Sequence, residues 1–136
     1  EKKKAEQIIL TEKKKSEELL LNILPKQVAD ELKINGKATT KKYDNVTILF
    51  TDFKDFTRMA PSVSPIKLVE ELNEIYSHFD DIMEAFQVEK IETIGDAYFA
   101  ACGVPVKNKH HAIQCIEAAR QMFKYLDERN GKNKIQ

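Results

Sequence analysis

Leu68, Leu72, Ile75, Phe79, Ile82 and Phe86 recur at alternating intervals of four and three residues. That spacing puts six large apolar side chains on one face of a long helix, which must find a surface to cover them. Its neighbours narrow the choice of surface. Upstream, "YDNVTILFTDF" alternates Val46, Ile48 and Phe50 with Thr47, Leu49 and Thr51, and reads as a largely buried strand ending at Asp52. "KDFTRMAPSVSP" cannot continue the strand, because the period is lost and prolines intervene. Downstream, "VEKIET" and "AYFAACGV" read as short strands joined by a tight turn, Ile94-Gly95-Asp96-Ala97. A last helix carries Ala112, Ile116, Ala119, Phe123 and Leu126 on one face. The tail "ERNGKNKIQ" reads as turn, with Ile135 hinting at a further strand. Strand, helix, hairpin, helix is the order of an α+β, ferredoxin-like βαββαβ core without its last strand, leaving an open sheet edge.

The residues before this core have a different character. Residues 1–24 carry the charged runs "EKKK" and "TEKKKSEE", with Ala5, Ile9, Leu19 and Ile23 in one heptad register. They read as a coiled-coil signalling helix that can pair two copies, although Glu12 and Ser16 interrupt the seam. Residues 25–42 read as a short helix through Val28 and Leu32, stopped at Asn35-Gly36, and a basic linker. Residues 43–136 hold the core. At 136 residues and 42% hydrophobic, the chain suits one small domain with an appendage.

Twenty-two basic residues balance 22 acidic ones, so no overall field draws the chain to nucleic acid, and the lysine runs lack interleaved aromatics. Any binding site is local. Cys102 and Cys115 lack metal-type spacing and read as reduced, buried thiols of a cytoplasmic protein. No apolar run has the length of a membrane span, and the N-terminus is too charged for a signal peptide, so this piece reads as soluble. His110-His111 reads as a solvated helix start. Tyr76, His78 and Met83 lie on or beside the long apolar stripe and read as packing.

Asp52 and Asp96 are the residues that invite chemistry. If the first strand pairs beside the hairpin, the two meet at one end of the sheet and supply half of a Mg²⁺ shell, with water and substrate phosphates as the remainder. The same letters also have an ordinary reading, since Asp is common after strands and Gly-Asp is common in turns.

Four stretches, "LLLNILPKQVADEL", "YDNVTILFTDFKDFT", "LNEIYSHFD" and "KIETIGDAYFAACGVP", together resemble the class III nucleotidyl cyclase catalytic domain and the helical transducer element before it. The likeness runs from about Ser16 onward and is nearest to the soluble guanylate cyclase style. It implies a palm-type core in which Asp52 and Asp96 hold two divalent cations, Mg²⁺ or Mn²⁺, with the Phe53 carbonyl joining the shell. It implies that the turn from Lys54 to Thr57 meets the nucleotide phosphates through the backbone N–H groups of Asp55, Phe56 and Thr57.

Glu92 stands at the family's purine-selecting position. A carboxylate accepts from guanine N1–H and the 2-amino group, whereas the acceptor at adenine N1 suits an ammonium, so Glu92 favours GTP over ATP. The reaction implied is attack of the ribose 3′-oxygen on the α-phosphate, giving cyclic GMP and pyrophosphate in a head-to-tail homodimer joined through the N-terminal helix and the cyclase face. An upstream sensor or membrane domain is implied as well. The family's ribose-orienting asparagine and its transition-state arginine have no counterpart up to Gln136, which implies a fragment inactive alone. Two other readings remain: an adenylate cyclase converting ATP to cyclic AMP, and a non-catalytic dimerising relay.

Overall fold

The computed structural model describes residues 1–24, 26–54, 58 and 60–133. They form two units, residues 1–42 and 43–136.

In the larger unit, β1 (Thr47–Thr51), β2 (Glu89–Ile94) and β3 (Ala97–Cys102) make one antiparallel sheet in the order β1-β3-β2. The β2–β3 turn is made by Gly95, whose φ of 60° is a left-handed conformation that costs glycine little. An irregularity between Lys90 and Glu92 leaves Ile91 without a partner on β3, so that Glu92 falls opposite Phe99. Before β1, the chain passes so close to Gly103 (φ 98°) that a Cβ there would meet the Asn45 carbonyl oxygen at 2.5 Å.

The long apolar stripe forms α3 (Pro65–Ala85), with proline in its first turn, where a missing N–H costs nothing. Ile75, Tyr76, Phe79 and Met83 are buried, and Leu72, Ile82 and Phe86 pack at the margin. Together with α4 (His111–Asn133), this helix supplies the core that covers Tyr98, Ala100 and Cys102 of β3, all fully buried. Alternate residues point to the opposite face of the sheet, and there Ile48, Phe50 and Ile94 are 63%, 58% and 55% exposed. β1 is therefore half-buried rather than largely buried as expected, because the strand has a helical cover on one side only.

α4 departs from its expected orientation in two ways. Its buried residues are Cys115, Ala118 and Met122, while Ile116 and Phe123 of the expected face are 60% and 70% exposed. The small side chains of Cys115 and Ala118 let the helix backbone come close to Ala100 and Cys102, so the side with small residues is the one that packs. The segment "ERNGKN", read as turn, continues the helix to Asn133. Arg129 explains why, since it pairs with Glu71 and Glu74 of α3 and ties this last part of α4 to the neighbouring helix. Ile135, where a further strand was expected, lies outside the described residues. His111 begins α4 and shares a 2.6 Å hydrogen bond with the Thr47 hydroxyl. Cys102 and Cys115 are free thiols, buried as expected.

The smaller unit contains α1 (Lys2–Ile23) and α2 (Lys26–Asn35). Gly36, with φ 71°, stops α2 at the expected place, and its N–H donates to the Leu32 carbonyl at 2.8 Å. Ile9 and Leu19 of the heptad register are 65% and 63% exposed in this single chain. Among the described residues, no helix is long and apolar enough to cross a membrane.

Candidate active site

The β1–β3 ladder ends with Thr51 opposite Tyr98, and the β2–β3 ladder ends with Ile94 opposite Ala97. Asp52 and Asp96 both lie just past these last pairs, at the same end of the sheet. Interaction with the neighbouring Asp96 carboxyl, through hydrogen bonding and like charge, and a lesser contribution from burial hold the Asp52 carboxyl above its usual range. Asp52 is exposed and Asp96 half-buried. Among the described residues, neither is in an ion pair with lysine or arginine.

One side chain touches both segments. The Tyr76 hydroxyl donates to the Gly95 carbonyl at 2.9 Å, and its ring lies against Phe53 with centroids 6.4 Å apart. Burial first, then the charges of Asp96 and Asp52, push the Tyr76 phenol up to about 12, so it stays a donor at any physiological pH. Tyr76, expected from its place beside the apolar stripe to serve as packing, thus also makes a polar contact. The signal in the sequence is a hydroxyl on an otherwise apolar stripe, which when buried requires a partner.

Phe53 itself packs at the margin of the core. Glu92 is exposed on β2 and aligned across the sheet with Phe99, which in turn pairs with Phe50 at a ring separation of 5.9 Å. It thus belongs to the sheet face left open by the helices. Asp55, Phe56 and Thr57 lie outside the described residues. A cleft of about 250 Å³ borders Asp52, but its lining is chiefly apolar, from Leu49, Phe79, Met122 and Phe123 among others. Among the described residues, no group of three or more His, Cys, Asp or Glu side chains gathers into a metal cluster. What the arrangement offers is a pair of hard carboxylate oxygens, open to solvent on the Asp52 side, which fits a cation that completes its shell with water or phosphate oxygens.

A three-stranded antiparallel sheet with helices on one face and two carboxylates at one end, one after β1 and one in the β2–β3 turn, defines a palm-type α+β domain. The chain belongs to the adenylate and guanylate cyclase catalytic domain family, whose model matches residues 38–136. It is 41% identical over 114 residues to the soluble guanylate cyclase gcy-31 of Caenorhabditis elegans, covering 82% of this chain and 16% of that protein. It is 42% identical over 115 residues to the receptor-type guanylate cyclase gcy-5 of the same organism, covering 84% of this chain and 10% of that protein. Among solved structures, the guanylate cyclase domain of RhGC from Catenaria anguillulae, in complex with GTP, superposes with a TM-score of 0.64 at 31% identity, covering 65% of this chain and 48% of that one. The chain therefore spans less than a fifth of the length of these two curated relatives.

Proposed function

We propose that this chain is part of a guanylate cyclase, converting GTP to cyclic GMP and pyrophosphate in a head-to-tail homodimer. The observation that carries the reading is the meeting of Asp52 and Asp96 beyond the sheet ladders, with like charge raising the Asp52 carboxyl and no basic side chain among the described residues paired with either. Two Mg²⁺ or Mn²⁺ ions fit these oxygens, with the Phe53 carbonyl as a further donor. When bound, such ions neutralise phosphate charge and favour the ionised ribose 3′-hydroxyl.

The remaining roles belong to the chain itself. Asp52 and Asp96 fix where the phosphates sit relative to the sheet. The backbone N–H groups of Asp55, Phe56 and Thr57 donate to phosphate oxygens. Glu92 accepts from guanine N1–H and the 2-amino group, and so favours GTP over ATP. It does so in the partner's site, while the carboxylate pair serves its own. Pairing of two α1 helices along the Ala5, Ile9 and Leu19 register supports the dimer.

The deciding experiment is a cyclase assay on the longest natural form of the protein, with Mn²⁺ or Mg²⁺ and with GTP and ATP in parallel. Turnover of GTP that is abolished by Asp52→Asn and by Asp96→Asn is the expected result. Turnover of ATP at equal or greater efficiency makes the protein an adenylate cyclase. No turnover with either nucleotide, together with no stabilisation by Mn²⁺ and a GTP analogue, leaves a dimerising relay.

A further inference from the structure

We propose that Tyr76 is the positioning residue that sets the separation of Asp52 and Asp96, by bracing the end of β1 with its ring and the hairpin turn with its hydroxyl. Each carboxylate lies one residue past the last pair of its ladder, so ladder hydrogen bonds end just short of both. Among the described residues, Tyr76 contacts both segments.

The Gly95 carbonyl that accepts the 2.9 Å bond belongs to the same peptide unit as the Asp96 N–H, so fixing that oxygen fixes the plane from which Asp96 projects. Glycine at φ 60° has the widest conformational freedom of any residue in the turn, and the bond removes it. On the other side, Phe53 follows Asp52 directly and rests against the Tyr76 ring. The brace is itself rigid. Tyr76 is 9% exposed, and Phe79 and Tyr98 lie at centroid distances of 6.2 and 5.5 Å. α3 thus reaches the carboxylate pair through one phenol.

This inference rests on the metal-binding reading of Asp52 and Asp96, and its test separates the two. The 136-residue chain is titrated with Mn²⁺ as wild type, Tyr76→Phe, Asp52→Asn and Asp96→Asn, and the Asp96 amide is followed by its NMR chemical shift. Tyr76→Phe keeps the ring and loses only the hydroxyl. It is expected to weaken Mn²⁺ binding by roughly tenfold, the lower end of what loss of a supporting hydrogen bond costs a metal site. The Asp96 amide resonance is expected to shift, because its nitrogen shares the peptide unit whose carbonyl loses the bond, while the β1–β3 amides keep their positions. Wild-type Mn²⁺ affinity with an unchanged Asp96 amide overturns the proposal. Failure of the wild type to bind Mn²⁺ overturns the metal reading instead, and the amide then decides the brace alone. If Tyr76→Phe does not fold, the wild type still answers: a slowly exchanging Tyr76 hydroxyl proton close to Gly95 supports the brace, and a rapidly exchanging one overturns it.

Discussion

Asp52 and Asp96 meet at one end of the sheet although one follows β1 and the other sits in the β2–β3 turn, so folding alone makes them neighbours. Two like charges brought together by folding oppose it wherever both are ionised. The Asp52 carboxyl is raised in the folded chain, so its contribution to stability is complete below about pH 3.9, where the unfolded carboxyl is also protonated, and is lost as the pH rises through the folded value. Asp52→Asn is therefore expected to melt higher than wild type at pH 7 without metal, and to match it near pH 3. Added Mn²⁺ should raise the melting temperature of the wild type and not of the variant. Thermal scans with and without Mn²⁺ check both, and a variant that melts lower at pH 7 refutes the charge argument.

Glu71 responds to pH in the opposite sense. The Arg129 guanidinium, by hydrogen bond and by charge, holds the Glu71 carboxyl below the usual range. Its stabilisation is present above the unfolded value of about 4.3 and is lost as the pH falls through the folded one. Arg129→Gln should lower the melting temperature at pH 7 and make no difference at pH 2.5. An equal difference at both would assign the loss to packing rather than to charge.

Purine choice is tested at Glu92. In the proposed purine-reading role, Glu92→Lys would put a donor against guanine's own donors, a mismatch that leaves polar groups unpaired. The longest form of the protein should lose kcat/KM for GTP by at least roughly tenfold, with a smaller loss for ATP. Steady-state rates with both nucleotides give the ratio, and equal losses would take purine reading away from this residue.

Two glycines should respond in opposite directions to alanine. Gly103→Ala places a Cβ 2.5 Å from the Asn45 carbonyl oxygen at a φ of 98°, and should cost more than about 2 kcal/mol in urea unfolding. Gly131→Ala lies within α4 with open space around it and should stabilise by about 0.5–1 kcal/mol. Similar effects at the two would show that local backbone geometry does not govern either.

How far the sequence could be read depended on the range of the forces involved. The α3 stripe, the Gly36 stop and the turn at Gly95 were legible, since each follows from periodicity or from a single residue's backbone freedom. The meeting of Asp52 and Asp96 was legible too, once β1 was taken to lie beside the hairpin. The burying face of α4 was not, because Ile116 and Phe123 outweigh Cys115 and Ala118 in apolarity, and only the close approach to β3 favours the smaller pair. Nor was the continuation of α4 past Glu128, which depends on Arg129 meeting glutamates on another helix. Tyr76 was visible as a core residue, but its second partner is a backbone carbonyl, which no side-chain pattern announces.

Cys102 and Cys115 are enclosed between β3 and α4, with burial raising both thiols. A thiol that is neither ionised nor reachable reacts only when the protein around it parts. The chain therefore carries its own stopwatch: when an alkylating reagent outpaces reclosing, the rate at which it consumes these sulfurs counts the openings that bare them, one molecule at a time.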